Sequence, residues 1–340
     1  MSRPAALAAL LAGLLALGAA APARANDSEA EIGIGGITLR PSEALVMQSE
    51  DLFVSEEAVR VSYRFFNPTP RDITTTVAFP MPAQPRAMLD RWYDMDSRQD
   101  WTDFGFSTWV DGKPVRLQMI ERAMIGARDV TERVLELGLP VYWPGQNGDS
   151  DLFEKMPAAE QNRFLAEGLA VKDELFGGSV VPAWDHATFF VREQTFPANT
   201  TIEVRHEYTP IAGGSVGGAL EKPIRDSNPQ IVQDYASRYC ADASFIAGLD
   251  RRLAGMRKPG VSAYYGETWL GYVLSSGANW KGPIASFRLV VDKGSTDNLV
   301  SFCMDGVKKI APTRFEVTKT NFEPKRDLDI LIVKFHQIED

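Results

Sequence analysis

The sequence has little of what builds metal or thiol chemistry. Its 340 residues include two cysteines, Cys240 and Cys303, and three histidines, His186, His206 and His336. No CxxC pair and no HxH or HExxH spacing occurs. Because those spacings carry most redox and zinc sites, we expect neither a bound metal nor a cofactor.

Positive charge is also in short supply. The chain has 36 Lys and Arg against 45 Asp and Glu, which gives a formal net charge of -9. Nucleic acids and anionic membrane surfaces bind clustered Lys and Arg side chains. We therefore expect no nucleic-acid partner.

Long apolar runs are confined to the N-terminal region. Arg3 precedes an Ala/Leu run from Ala5 to Ala21, and Ala23-Arg24-Ala25 leads into polar residues. This pattern predicts a cleavable signal peptide over residues 1–25, cut between Ala25 and Asn26. The run is shorter than the roughly 20 residues of a spanning helix. We expect a periplasmic or secreted mature chain without a membrane span.

The two cysteines then fall in a compartment that favours oxidation. A metal or redox pair is the alternative, but neither residue has a histidine near it in the sequence. We predict a structural disulfide between Cys240 and Cys303.

Alternation of apolar and polar residues predicts strands over much of the chain. It is clear from Val59 to Phe65, from Ile73 to Phe79 and from Ile202 to Tyr208, and turn residues such as Asn67-Pro68 separate the runs. Strands recurring at short intervals, without strand–helix alternation, are typical of an antiparallel β-sandwich. We predict a mainly β fold with helical insertions, immunoglobulin-like or related, built as one or two packed lobes.

Helical spacing interrupts these strands twice. Leu117, Ile120, Met124, Val134 and Leu137 recur at that spacing, and a second helical region carries Ile246 and Leu249. We divide residues 26–340, taken as a single unit, into five parts: strands over 26–116, a helical insertion over 117–172, strands over 184–210, a helical segment over 228–257 and strands over 268–336.

Three stretches of this sequence are similar to a known family. They are NDSEAEIGIGGITLRPSEALV from Asn26, ANWKGPIASFRLVVDKG from Ala278 and VSFCMDGVKKIAPTRFE from Val300. They resemble the bacterial domain-of-unknown-function family 4424. The resemblance implies an exported protein and supplies no catalytic residues.

A second resemblance concerns the fold alone. The order FPMP at Phe79, WVDGKPV at Trp109, and FPANTTIEVRHEYTP at Phe196 is similar to the sandwich domain of inter-alpha-trypsin inhibitors. No von Willebrand type A module follows in this chain, so this similarity implies a sandwich and no activity.

The segment from Gly213 to Gly217 spells GxSxG, the nucleophile-elbow pattern of serine hydrolases. That elbow needs a strand before the serine and a helix directly after it. Pro223 comes too soon for a long helix, and His336 is the sole downstream histidine. The pattern therefore favours a glycine-rich turn over a catalytic serine.

Asp185 and His186 are the best catalytic candidates, since they follow Trp184 in an expected loop. His206 falls in the apolar register of its strand, which favours a hydrogen-bonded core histidine. Asn147, Asp149, Asp151 and Glu154 offer oxygen atoms to calcium but lack the EF-hand spacing. Trp269 and Trp280 could stack on sugars or fill the core, and core packing is favoured.

These observations support a non-catalytic binding or scaffold role in the cell envelope, with an envelope protein or a glycan as partner. The alternative is a secreted hydrolase or carbohydrate-active protein, and a third possibility is a cell-envelope assembly factor whose helical insertion, residues 117–172, docks a partner.

Overall fold

The structure, a computed structural model, describes residues 27–33, 36–82, 105–126, 128–141, 152–173 and 178–339. Strands dominate, and nearly all neighbouring strands run antiparallel; the pair of strands Ile284–Asp292 and Val46–Val54 is parallel. This confirms the mainly β fold with antiparallel sheets.

The largest sheet has eight strands in the order β18-β19-β16-β3-β4-β13-β6-β7. We call it sheet B. Its strands are β3 (Val46–Val54), β4 (Val59–Asn67), β6 (Ser107–Val110), β7 (Lys113–Pro114), β13 (Thr200–Tyr208), β16 (Ile284–Asp292), β18 (Lys308–Lys309) and β19 (Arg314–Phe322).

Two smaller sheets and one two-stranded ribbon complete the β structure. Sheet A has the order β2-β1-β5-β12-β8-β9, with β1 (Ser28–Gly33), β2 (Gly36–Arg40), β5 (Ile73–Pro80), β8 (Gln118–Ile125), β9 (Arg128–Asp129) and β12 (Asp185–Phe196). Sheet D has the order β14-β15-β20-β17, with β14 (Gly213–Ser215), β15 (Val261–Tyr272), β17 (Leu299–Phe302) and β20 (Leu328–Glu339). The ribbon pairs β10 (Ala170–Asp173) with β11 (Ser179–Pro182).

The main hydrophobic core lies between sheet B and the two smaller sheets. It joins Leu52, Val61 and Val204 of sheet B to Phe190 of sheet A and Ile330 of sheet D. The inward residues of β4 and β13 alternate with exposed ones, as the sequence predicts. Sheet B therefore forms one layer of a sandwich whose opposite layer consists of sheets A and D.

The helices are short and lie outside this core. They are α1 (Thr131–Glu136), α2 (Leu152–Lys155), α3 (Ala158–Glu167), α4 (Lys222–Ser227), α5 (Gln230–Tyr239) and α6 (Ala243–Met256). Tyr235 of α5 and Leu249 of α6 pack with Tyr265 on the outer face of sheet D. The helical segment predicted over 228–257 is present, and α4 precedes it. Within the described residues, no helix has the length and apolarity to cross a membrane.

The helical prediction is wrong at the start of the 117–172 region, where β8 runs from Gln118 to Ile125. Ile120 and Met124 pack on one face of sheet A, whereas Met119 and Ala123 pack on the other. Apolar residues on both faces of one strand produced a spacing that resembles a helical stripe, and pairing with β12 decides the outcome.

Candidate functional site

The predicted pair Asp185 and His186 lies at the start of β12 and not in a loop. Because neighbouring residues of a strand point to opposite faces, the two side chains diverge and do not form a dyad. His186 is buried, and its Nε2 atom lies 3.0 Å from Oε1 of Glu121 on the adjacent strand β8. Trp184 is buried too and donates a hydrogen bond from Nε1 to the carbonyl oxygen of Val141. The histidine thus has a carboxylate neighbour that the sequence did not indicate.

The GxSxG segment is a strand edge and not a nucleophile elbow. Gly213 to Ser215 form β14, which pairs with β15 opposite Glu267 to Trp269. The Ser215 hydroxyl donates to the carbonyl oxygen of Gly217 at 2.7 Å. Since α4 begins at Lys222, no helix follows the serine directly.

His336 does not complete a catalytic group with Ser215. It pairs with Tyr264 in sheet D and stacks on that ring, with centroids 5.1 Å apart. Ser215 pairs with Glu267 of β15. The side chains of Glu267 and Tyr264 point to opposite faces of the sheet, because the two residues are an odd number of positions apart on the strand.

The glycines of this segment have a packing role. A Cβ atom at Gly214 would lie 2.4 Å from the carbonyl oxygen of Glu267, and one at Gly218 would lie 1.7 Å from the ring of Tyr265. Real Cβ atoms do not approach so closely, so these positions admit glycine alone without a shift of the backbone.

A group of buried polar residues, which we call the junction cluster, lies where sheets A, B and D meet. Its members are Asp27, Thr108, Arg192, His206 and Trp280, none of them more than 7% exposed. Asp27 precedes β1, Arg192 is on β12, Thr108 and His206 are on β6 and β13, and Trp280 follows β15. The cluster therefore connects sheets A and B, and Trp280 adds the segment that leads from β15 of sheet D to β16 of sheet B.

Asp27 is the anionic centre of the junction cluster. Nη1 and Nη2 of Arg192 donate to its two carboxylate oxygens at 3.4 and 2.8 Å, and Nε2 of His206 lies 3.2 Å from Oδ1. Burial opposes ionisation, but Arg192 and His206 overcome this and hold the pKa of Asp27 well below its ordinary value. The main chain is fixed as well, because Trp280 Nε1 donates to the carbonyl oxygen of Asp27 at 2.6 Å.

His206 has the environment that its sequence register favours, a fully buried position with hydrogen-bonding partners. Burial lowers its pKa below the ordinary value despite the attraction of Asp27, so the ring is neutral at neutral pH. The Thr108 hydroxyl lies 2.7 Å from Nδ1, and Nε2 lies 3.2 Å from Oδ1 of Asp27 without the angle of a hydrogen bond.

Thr108, His206 and Asp27 thus bring together a hydroxyl, an imidazole and a carboxylate, as hydrolase triads do. A nucleophile must meet its substrate, however, and Thr108 is 2% exposed while the other two are fully buried. The arrangement supports the fold and offers no access to a substrate.

Two tyrosines extend this polar region through the core. The hydroxyls of Tyr63 and Tyr272 lie 2.9 Å apart, and Tyr272 donates to Oε1 of the buried Glu50 at 3.3 Å. Burial, with the nearby Glu50 charge as a lesser cause, raises the pKa of Tyr63 far above its ordinary value. Both tyrosines therefore remain neutral hydrogen-bonding groups.

Another buried carboxylate, Glu267, lies beneath α5. Its oxygens accept hydrogen bonds from the Tyr235 hydroxyl at 2.6 Å, from Trp269 Nε1 at 2.8 Å and from the main-chain N–H of Ala219 at 3.1 Å. We call these four residues the Glu267 cluster. Burial raises the pKa of Glu267, although these donors favour its ionised form.

The remaining predicted positions have clear outcomes. Cys240 and Cys303 form a disulfide, as predicted, which joins the end of α5 to the end of β17. Trp280 is buried and Trp269 is half-buried against the Glu267 cluster, so the two rings do not form an exposed sugar platform.

The calcium candidates Asn147, Asp149 and Asp151 lie outside the described residues, as does the side chain of Glu154. Among the residues that are described, no three His, Cys, Asp or Glu side chains gather into a potential metal site.

Sequence reasoning missed Asp27, Arg192 and Glu267. Arg192 carried a signal, since it shares the inward register of Phe190 and Phe196 on β12. A charged residue at such a position needs a buried partner. Nothing in the sequence identified that partner, because Asp27 is 165 positions away.

Comparison with known proteins gives similar structures of low identity. A proposed nutrient-binding protein from Legionella pneumophila is 14% identical, with 86% of this chain and 68% of that chain covered and a TM-score of 0.40. An M1 zinc metallopeptidase from Deinococcus radiodurans is 9% identical, with 86% of this chain and 43% of that chain covered and a TM-score of 0.26. No curated protein sequence matches.

The sequence resemblance is confirmed at the level of the family. A family model described as a domain of unknown function matches residues 25–331, nearly the whole chain. The protein therefore belongs to the DUF4424 family.

Proposed function

We propose that this protein is a non-catalytic binding or scaffold protein of the cell envelope, which works in the periplasm or outside the cell after removal of residues 1–25. One observation carries the proposal. The groups that the sequence offers as bases and nucleophiles make internal contacts: His186 with Glu121, His206 with Asp27, and Ser215 with Gly217.

Two further features support export. The disulfide between Cys240 and Cys303 is of the kind that persists in oxidising compartments. Asp27, two residues beyond the proposed cleavage at Ala25, is fully buried and paired with Arg192, so a cut after Ala25 would leave the junction cluster complete.

Expression of the full chain in a Gram-negative host tests the compartment. We expect the periplasmic fraction to contain a chain beginning at Asn26, with Cys240 and Cys303 resistant to alkylation until reduced. Exchange of Ala23 and Ala25 for Arg provides the control, since it removes the small residues of the cleavage site. A full-length cytoplasmic product with two free thiols would contradict the proposal.

The Glu121–His186 pair favours one alternative, a secreted hydrolase or carbohydrate-active protein. A carboxylate beside an imidazole orients a general base in many hydrolases. A screen of ester, peptide and glycoside substrates decides between the two functions. We expect no turnover; turnover that His186→Gln abolishes and Asp185→Asn spares would establish the alternative.

Substitutions on the surface of the helical insertion test whether the protein binds a partner in the envelope, a protein or a glycan. Leu135 on α1 is a large apolar side chain of this region that is 57% exposed and so available to a partner. We expect Leu135→Lys to reduce recovery of crosslinked envelope material. Ile224→Lys on α4, 42% exposed, is the matched control.

A further inference from the structure

The junction cluster has the geometry of a receptor for a carboxylate. Three nitrogen atoms surround the Asp27 carboxylate: Nη1 and Nη2 of Arg192 at 3.4 and 2.8 Å and Nε2 of His206 at 3.2 Å. A guanidinium that donates to both oxygens of a carboxylate gives directional recognition that a point charge does not. This geometry suits a planar anion with two acceptor oxygens.

The receptor and the carboxylate belong to different parts of the fold. Arg192 and His206 are on β12 and β13, which pair with β5, β8, β4 and β6 along most of their length. Asp27 immediately precedes the N-terminal hairpin, which we define as β1 and β2, residues 28–40. Arg192 and His206 are thus held in place by strand pairing within sheets A and B, whereas Asp27 belongs to the segment that leads into the N-terminal hairpin.

The described contacts of the N-terminal hairpin include several at its base. β1 pairs with β5 over three residues, Ser28 to Ala30. Asn279 donates from Nδ2 to the Ser28 hydroxyl at 2.9 Å, and its carbonyl oxygen accepts from the N–H of Ser42 at 2.6 Å. These contacts, together with the hydrogen bond from Trp280 to Asp27, place the Asp27 carboxylate against Arg192 and His206.

We propose that Arg192 and His206 form a carboxylate-binding site whose ligand, Asp27, is supplied in cis by the N-terminal hairpin, and that this site accepts a small carboxylate when Asp27 is absent. The inference goes beyond the proposed envelope function and does not depend on export. Asp27 here acts as an internal ligand that holds the hairpin at the junction of the three sheets.

The physical basis is the cost of a buried, unpaired guanidinium. Arg192 is 7% exposed, and Asp27 is the carboxylate that pairs with it. Without an anion, the guanidinium loses its counter-charge and the two hydrogen bonds to the carboxylate, and keeps the one from Nε to Gln194 Oε1 at 3.4 Å. A carboxylate from solution restores both, whereas chloride supplies charge without two acceptor oxygens.

Chemical rescue tests the proposal directly. Asp27→Ala removes the carboxylate and leaves a space that suits formate. We expect formate to raise the melting temperature of this variant in a saturable manner; at ten times its dissociation constant, it increases the folding equilibrium constant about elevenfold. Acetate, with one more methyl group, should bind more weakly.

Three controls define the result. Sodium chloride at the same ionic strength should leave the variant unchanged, wild-type protein should not respond to formate, and Asp27→Asn, which keeps the space filled, should not respond either. The proposal is overturned if formate stabilises Asp27→Ala no more than it stabilises wild-type protein. If the variant folds only with formate, the refolded yield as a function of formate concentration is the readout.

A second measurement decides the matter if Asp27→Ala does not fold under any condition. A protease site inserted after Glu43, an exposed residue between β2 and β3, allows the folded full chain to be cut. We expect the N-terminal fragment to stay bound and to dissociate at least tenfold faster when it carries Asp27→Asn. Equal dissociation of the two fragments would overturn the proposal.

Discussion

Two buried carboxylates in this protein experience opposite electrostatic environments. Asp27, fully buried, faces the guanidinium of Arg192 and the ring of His206. Glu267, 4% exposed, faces the neutral donors Tyr235, Trp269 and the N–H of Ala219. A cation holds the first in its ionised form, whereas the second has hydrogen bonds but no counter-charge within the described parts of the chain.

The difference shows that the number of hydrogen bonds does not by itself determine the pKa of a buried acid. Burial acts on both groups and disfavours the charged form. Arg192 and His206 reverse that effect at Asp27, whose pKa is lowered, while burial prevails at Glu267, whose pKa is raised. The two clusters should therefore respond differently to mutation and to pH.

The largest expected effect is at the junction cluster. Asp27→Asn keeps the shape of the side chain but leaves Arg192 buried without its anion, and we expect the free energy of unfolding to fall by about 3–5 kcal/mol. Chemical denaturation provides the measurement. Asp51→Asn is the matched control: Asp51 pairs with Arg288 at 3.1 Å on the exposed surface, where such a pair contributes about 0–1 kcal/mol. Equal losses for the two variants would contradict the comparison.

The disulfide tests the region around the Glu267 cluster, since Cys240 ends the helix that carries Tyr235. The cysteines are 63 positions apart, and closing such a loop stabilises by about 4 kcal/mol on the loop-entropy model. We expect replacement of both by Ala to lower the free energy of unfolding by about 2–4 kcal/mol. Wild-type protein under reducing conditions should match the double variant; a difference below 1 kcal/mol between oxidised and reduced protein would count against this role.

In the glycine-rich segment next to Glu267, the loss of stability on replacing a glycine by alanine should depend strongly on its position. At Gly218 a methyl group meets the Tyr265 ring, so we expect Gly218→Ala to cost about 1–3 kcal/mol. At Gly217 a Cβ atom would meet no atom within 4 Å, so Gly217→Ala should have little effect. Thermal unfolding of the two variants compares them. Similar losses at both positions would show that flexibility, and not close packing, explains these glycines.

The smallest effect, and the sharpest contrast, concerns pH. The pKa of Glu267 is raised in the folded state, so its contribution to stability is fully present below the unfolded value of 4.5 and is lost as pH rises through the folded pKa. The pKa values of Asp27 and His206 are lowered, so their contributions are lost as pH falls below 3.8 and 6.5 respectively.

Glu267→Gln isolates the first of these contributions. The variant loses a matched set of hydrogen bonds, which we expect to cost about 1–2 kcal/mol. The variant also lacks the stabilisation that protonation of Glu267 gives the wild type at acid pH. The free energy of unfolding of the wild type should therefore exceed that of the variant by a growing amount as the pH falls from 7 toward 4.5. Denaturation curves across that range give the difference. A gap that narrows as pH falls would contradict the raised pKa.

Local sequence patterns predicted much of the fold. Alternation identified β4 and β13, and the inward register of His206 indicated its buried position. The pairing of Cys240 with Cys303 followed from the presence of two cysteines alone. The spacing of apolar residues predicted the wrong secondary structure for β8, because Met119 and Ile120 pack on opposite faces of a sheet that is covered on both sides.

The candidate site was far less predictable, because it depends on long-range contacts. Arg192 is a charged residue at an inward position of its strand, but its partner Asp27 lies 165 positions earlier in the sequence. Strand geometry also separates Asp185 from His186, which neighbour each other in sequence but face opposite sides of sheet A. A one-dimensional pattern records neither the pairing of distant strands nor the junction of three sheets.

A double-mutant cycle between Asp27 and Arg192 tests the central claim most directly. Asp27→Asn, Arg192→Met and the double variant are compared with wild type by chemical denaturation at pH 7. The ionic contact predicts a coupling free energy of about 2–3 kcal/mol, with the double variant more stable than Asp27→Asn alone. Additive losses, with coupling below about 0.5 kcal/mol, would contradict the claim that Asp27 and Arg192 act as one buried unit.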